Sequence, residues 1–278
     1  MNLYVINTGL FKLDGGAMFG VVPKSMWQKT NPADENNMCT WAMRCLLIED
    51  GNQLILIDNG IGTKQDTKFL SHYYLHGEDS LESSINNAGF SAADVTDMFM
   101  THLHFDHCGG GVRRNSENFL LTFLNATYWS NEQHWQWATK PNAREKASFL
   151  TENILPIQES GQLKFVSDLK SEFTQFDIFM ASGHTDKMMI PKIKYKDKVI
   201  CFMADLLPSS SHVPLPYVMG YDTQPLLTMK EKEIFLKEAA ANNYILFLEH
   251  DPLHECCTVK QTEKGVRLDQ TFSLKNIV

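Results

Sequence analysis

Apolar and polar positions along this chain fall into short, dense blocks, and most of the blocks predict strands. Leu3-Tyr-Val-Ile-Asn7 reads as an opening strand. Cys45-Leu-Leu-Ile48 and Leu54-Ile-Leu-Ile57 flank Glu49-Asp-Gly-Asn52, which predicts a hairpin turning at Asp-Gly. Apolar runs at 95–100, 177–181, 199–203 and 244–248 predict further strands, and 192–196 pairs with 198–203 as a second hairpin across Lys196-Asp-Lys198. Helices are predicted over 79–90 with a glycine stop, 130–138, 143–153 broken before Pro156, and 229–241 with Thr228 as its cap. Residues 9–40 fit neither period. They carry Gly15-Gly16, Gly20, Pro23 and Pro32 and predict a long irregular segment exposing Phe11, Met18, Phe19, Met26 and Trp27. Such a segment would serve as a lid or as an oligomer contact, the latter making a homodimer. No composition shift marks a linker, so the elements predict a single mixed α/β domain over 1–278.

The strands ending near 100, 181, 203 and 248 each deliver a histidine or aspartate within a few residues. Strand ends are a rigid base for a site. The densest is Thr101-His-Leu-His-Phe-Asp-His-Cys-Gly-Gly-Gly111, where His102, His104, Asp106 and His107 fall within six positions. Two residues apart on an extended chain, His102 and His104 point to one side. His184, Asp205 and His250 follow the later strands. Imidazole and carboxylate together suit zinc and its first-row neighbours, and seven such ligands suffice for two ions with room for water. Packing alone does not explain that density. His72, His76, His134, His212 and His254 lack matching context and read as non-ligands. The aromatic group Tyr128, Trp129, Trp135 and Trp137 reads first as core or dimer packing, with a substrate-pocket wall at Trp135 as the sharper alternative.

Composition narrows the function. The chain has 278 residues, 43% hydrophobic and 21% charged, with a net charge of −8. That balance argues against a nucleic-acid partner. No window approaches the roughly 18 apolar residues of a membrane span. The first residues read as a strand and not as a signal peptide, which makes a cytoplasmic location the default expectation. The six cysteines form no Cys-x-x-Cys knuckle, and Cys108 reads as a buried spectator.

His102-x-His104-x-Asp106-His107, with Gly183-His184-Thr185, Ala204-Asp205 and Glu249-His250-Asp251, resembles the metallo-β-lactamase superfamily. The segment Leu-Ile-Leu-Ile-Asp58-Asn-Gly fits that family's early strand and turn. The resemblance implies a four-layer αββα sandwich and two divalent metal ions, zinc first, with iron, manganese or cobalt as alternatives. It places His102, His104 and His184 on one ion, Asp106, His107 and His250 on the other, and Asp205 between them. Asp106 would also position a bridging hydroxide or pass a proton, and Asp58 would orient a ligand. The implied reaction is hydrolysis of an ester, lactone or phosphotriester of a small molecule. The run from Asp205 to Pro225 resembles the branch of methyl parathion hydrolases and acyl-homoserine lactonases. One lactonase group has a tyrosine three residues after the bridging aspartate; Pro208 stands there in this chain, and Tyr217 or Tyr221 would have to substitute. An iron-dependent redox enzyme resembling the persulfide dioxygenases, or a β-lactamase or thioesterase type of hydrolase, are the alternatives. Glyoxalase II relatives carry a C-terminal extension, whereas 28 residues follow His250 in this sequence.

Overall fold

The computed structural model describes residues 1–166 and 173–277. The chain forms two compact units, one from Met1–Gly9 and Met43–Glu172, the other from Leu10–Ala42 and Phe173–Val278.

The strands of the first unit are the first part of β1 (Asn2–Asp14) and the last part of β2 (Met38–Asp50), whose remaining residues belong to the second unit, with β3 (Gln53–Ile57), β4 (Asp97–Phe99), β5 (Val112–Asn115), β6 (Asn118–Leu121), β7 (Thr127–Ser130) and β8 (Leu163–Phe165). They make a six-stranded sheet in the order β1-β2-β3-β4-β7-β8, with β5 and β6 as a separate hairpin. The expected β2–β3 hairpin closes at Asp50↔Gln53, and Gly51 takes the left-handed backbone its two-residue turn requires, at φ 60°. β4 lies parallel to both β3 and β7, so β3 and β4 end on the same edge and deliver Asp58 and Thr101 side by side. Leu47, Leu56, Met98, Leu103, Phe123, Tyr128, Trp135 and Ile157 share one buried cluster. Each such large side chain contributes about 1.5–3 kcal/mol on burial.

Two helix expectations need correction in this unit. The helix predicted at 143–153 lies instead at Thr151–Glu159 and contains Pro156. At the predicted start Asn142 opens only a turn over 143–148: its Oδ1 accepts from the backbone N–H groups of Arg144 and Glu145 at 2.8 and 3.1 Å in the manner of an N-cap, and the extended backbone of Leu150 separates that turn from the helix. The helix predicted over 79–90 spans Leu81–Asn87, opened by a Ser80–Ser83 capping box and followed by Gly89 at φ 92°.

The second unit contains β9 (Phe176–Ala181), β10 (Met188–Tyr195), β11 (Lys198–Phe202), β12 (Ile245–Phe247), β13 (Cys256–Thr262) and β14 (Gly265–Phe272), in the sheet order β14-β13-β12-β11-β10-β9. The β10–β11 hairpin closes at Tyr195↔Lys198 as predicted. β11 and β12 are parallel, joined through the helix Pro225–Asn242. That helix starts earlier than the pattern suggests because Pro225 fills its first position, and Thr228 lies inside it. Lys232, 1% exposed, donates to the carbonyls of His212, Pro214 and Tyr217 at 3.0, 3.2 and 2.7 Å, tying that loop to the helix.

Residues 9–40 are far more ordered than predicted. β1 runs on to Asp14, and short helices follow at Gly15–Phe19 and Lys24–Trp27. Phe11, Met18, Phe19 and Trp27 are buried, and only Met26 stays half exposed. Phe19 is stacked on Trp27, centroids 5.4 Å apart, and on His212 at 4.5 Å. These aromatics supply core that the apolar runs alone did not reveal. No helix among the described residues is long and apolar enough to cross a membrane.

His212 sits in that stack with Nδ1 facing the Ser209 hydroxyl at 2.8 Å and Nε2 facing the Met18 carbonyl at 2.9 Å. Burial holds it neutral, lowering its pKa from 6.5 to about 3. The unfolded chain then binds the proton more readily, so this contribution is complete above pH 6.5 and is lost as pH falls toward 3. His212→Phe should keep the stacking, cost about 1–3 kcal/mol through the lost hydrogen bonds, and flatten stability against pH over that window. Urea unfolding at pH 7.5 and 5 checks this; an unchanged pH slope in the variant refutes it.

Candidate metal centre

Each unit carries its own set of predicted ligands. In the first, β4 ends at Phe99, and residues 100–104 lead into the short helix Phe105–Cys108 that carries Asp106 and His107. His102, His104, Asp106 and His107 are all buried. The glycines that follow allow close approach: a Cβ on Gly109 would lie 2.1 Å from the Ile61 carbonyl oxygen, and one on Gly110 2.2 Å from that of Asn59.

Asp58, at the end of β3, organises this group. It is fully buried with φ 57°, an uncommon backbone for a residue with a side chain. Its Oδ1 accepts from Thr101 N at 2.7 Å, and its Oδ2 accepts from Thr101 Oγ1 at 2.6 Å and faces His107 Nδ1 at 3.1 Å. The Thr101 hydroxyl thus spends its hydrogen on Asp58, and its oxygen accepts from His102 Nδ1 at 3.1 Å. His102 and His107 are each left with Nε2 as the lone-pair nitrogen. His102 Nε2 faces His104 Nδ1 at 3.1 Å, and the His102 and His107 ring centroids are 3.9 Å apart. Imidazoles this close in a buried site, His102 beside both His104 and His107, fit bound cations better than a neutral core. The orienting role expected of Asp58 is what its hydrogen bonds perform.

In the second unit β9 leads to His184, β11 to Asp205 and β12 to His250. Ala204, just before Asp205, adopts φ 41° and begins the turn that carries the carboxylate out of the strand. Asp205 Oδ2 lies 2.9 Å from His184 Nε2, and Oδ1 lies 3.1 Å from His250 Nε2. Both far nitrogens are held: His184 Nδ1 by Asp222 at 2.9 Å and His250 Nδ1 by the Ala42 carbonyl at 2.8 Å. One carboxylate divided between two imidazoles, each with its Nε2 turned inward, is the donor arrangement of a bridging ligand. Burial disfavours charge on His184, but Asp205 and Asp222 outweigh it and raise its pKa to about 10. A metal at Nε2 must therefore displace a proton.

Trp135 lies in the first unit's core, its indole N–H 3.4 Å from Gln158 Oε1, and is a packing residue. Tyr221 is exposed. His134, read as a non-ligand, accepts from Leu103 N at 2.9 Å and so supports the His102–His104 turn. Cys108 is buried, and burial pushes its thiol up to about 12, an inert spectator as expected. Two supporting residues were not singled out in the sequence. Asp222 stands beside Tyr221 within the run from Asp205 to Pro225, and Glu145, whose Oε1 lies 3.4 Å from His104 Nε2, carried no signal at all.

Asp58→Ala would leave Thr101 N–H, its hydroxyl and His107 Nδ1 without their acceptor in a dry site. The expected loss is about 2–4 kcal/mol of stability in metal-free protein, measured by chemical denaturation in the presence of chelator. A variant within about 0.5 kcal/mol of the native chain, the ordinary scatter of surface substitutions, contradicts this account.

Residues 44–113, which include the histidine-rich turn, match the metallo-beta-lactamase superfamily. No curated protein matches the chain. Among solved structures it is similar to a probable metal-dependent hydrolase from Staphylococcus aureus, at 27% identity and TM-score 0.88, covering 100% of this chain and 98% of that one. It is also similar in fold to AidC, a dizinc quorum-quenching lactonase crystallised with a product, at 23% identity and TM-score 0.80, covering 97% and 94%. The hydrolase AbOPH of the beta lactamase superfamily aligns at 20% identity and TM-score 0.79, again covering 97% and 94%. The fold and the matched segment together show a metallo-β-lactamase fold.

Proposed function

We propose that the chain is a dinuclear metal-dependent hydrolase in which the two ligand sets act together. His102, His104 and His184 would hold one ion, Asp106, His107 and His250 the other, with Asp205 shared. The observation that carries this reading is Asp205, whose two oxygens are already divided between His184 and His250 at 2.9 and 3.1 Å. The 3.1 Å approach of His102 Nε2 and His104 Nδ1 supports it in the other ligand set. Zinc is the first choice, on the nitrogen and oxygen donors and on the dizinc description of AidC.

Such a pair of ions, when bound, supplies Lewis acidity and a water acidified to near neutral pH. The chain's own residues do the rest. Asp58, Thr101, Asp222 and the Ala42 carbonyl fix which nitrogen each of His102, His107, His184 and His250 presents. Asp106, buried beside His107, would orient the attacking water and carry its proton to the leaving oxygen. The substrate would be a small ester, with lactones the first class to try. The dizinc lactonase neighbour supports that choice, while Pro208 in place of a tyrosine predicts that the lactone carbonyl is oriented by other groups than in the tyrosine-bearing lactonases.

The test is metal analysis combined with a substrate panel of nitrophenyl esters, acyl-homoserine lactones and a phosphotriester. Two zinc ions per chain and cleavage of at least one class are expected. His102→Ala and Asp205→Asn should each lower kcat/KM by on the order of a thousandfold and reduce metal content. Undiminished hydrolysis by fully chelated protein would overturn the reading. So would stoichiometric iron with oxygen uptake and no hydrolysis, which would favour the redox alternative.

A further inference from the structure

We propose that the second unit holds a binding cavity for a small amphipathic carboxylate, with Arg267 taking the charged head and apolar walls taking the tail. A cavity of about 550 Å³ opens in this unit, lined from 26–31, 210–217, 251–254 and the edge strand β14. None of the seven candidate metal ligands lines it. Its size is that of ordinary small-molecule sites, about 300–1,000 Å³. The walls include Met26, Leu253 and Leu268, which are 50%, 74% and 38% exposed. Three large apolar side chains left in solvent around one cavity form a surface that gains by being covered.

The polar lining decides what kind of molecule would cover it. Arg267 is half-buried, donates through Nη1 to the Val266 carbonyl at 2.7 Å, and has no ion pair among the described residues. Asp269, the acid two residues along, is held by Lys260 at 2.8 Å. Asp251, the carboxylate of the lining, is equally committed. Its Oδ2 accepts from Ser210 N and Oγ at 2.9 and 2.6 Å, and its Oδ1 from the N–H groups of Leu253 and His254, each at 2.9 Å. The guanidinium is thus a planar fork of donors with no anion, and a carboxylate is the group that matches it. Asn31 is a second unused group. It is 5% exposed, its backbone bonds to Trp27 and Cys39, and its side-chain oxygen meets no donor. A buried amide left unmatched is costly, and, turned about its last bond, it would donate to the same ligand. The walls are set in advance. Lys232 ties down the carbonyls of His212, Pro214 and Tyr217, and Asp251 ties down Ser210, so a ligand need not order the loop it meets.

Octanoate, octanol and acetate are suitable probes, titrated calorimetrically into the full chain supplied with zinc. A carboxylate can also ligate zinc, so the same titrations are made with Asp205→Asn. Octanoate should bind both proteins, octanol more weakly and acetate not at all, because head and tail are both needed. Arg267→Ala, a change on the edge strand, should weaken octanoate about 10- to 100-fold and leave octanol unchanged. Octanoate should also shift the Met26 methyl resonance in ¹H–¹³C spectra of the native chain. Octanoate binding that survives Arg267→Ala undiminished, or that disappears in Asp205→Asn, would overturn the proposal, the latter by placing the ligand at the metals. So would the absence of octanoate binding to the native chain. A stable dimer that Leu253→Ser dissolves, seen by light scattering, would overturn it too, since a second copy would then be what covers the cavity.

Discussion

The buried carboxylate of Asp58 is the contact on which the first ligand set depends. It is fully buried at the end of β3, in a left-handed backbone, and it accepts from Thr101 N and Oγ1 while facing His107 Nδ1. An ionised group in that position is tolerable only because several donors converge on it. The converse also holds: those donors are committed. Thr101 can then only accept from His102, and the inward nitrogens of His102 and His107 are settled before any ion arrives. Asp58 can do this because β3 and β4 are parallel neighbours that end on one edge.

The second ligand set reaches the same end with other parts. Asp222 and the Ala42 carbonyl fix His184 and His250 from behind, and the single carboxylate of Asp205 spans the two Nε2 atoms in front. Parallel pairing of β11 and β12 brings Asp205 and His250 out at one edge of their sheet. The recurring device is an imidazole gripped at one nitrogen so that the other is aimed. It lowers the reorganisation needed on metal uptake, which is how outer partners raise affinity without touching the ion.

The legible parts of the fold were those governed by local rules. The hairpins at Asp50–Gln53 and Tyr195–Lys198 followed from two-residue turns between apolar runs, and the placing of the candidate ligands at strand ends followed from the runs themselves. The helix expected at 143–153 gives way to a turn that Asn142 caps, and the helix itself begins only after the extended Leu150. Residues 9–40 were misread because their aromatics have no period. Phe19 is buried by stacking on Trp27 and His212, and His212 lies far away in sequence.

The sequence by itself determined the chemistry of the candidate ligands and the likeness to the metallo-β-lactamase superfamily, because His-x-His-x-Asp-His packs metal donors too densely for any core to require. It also identified Asp58 as an orienting group. Tertiary structure alone decided which nitrogen each histidine presents, since that depends on what lies behind the ring: Thr101, Asp58, Asp222 and the carbonyl of Ala42, 208 residues from its histidine. It likewise brought in Glu145, held by Trp137 and Asn142 beside His104. No spacing rule links residue 145 to residue 104. Their meeting is a product of packing, and hydrogen-bond partners chosen by packing leave no period in a sequence.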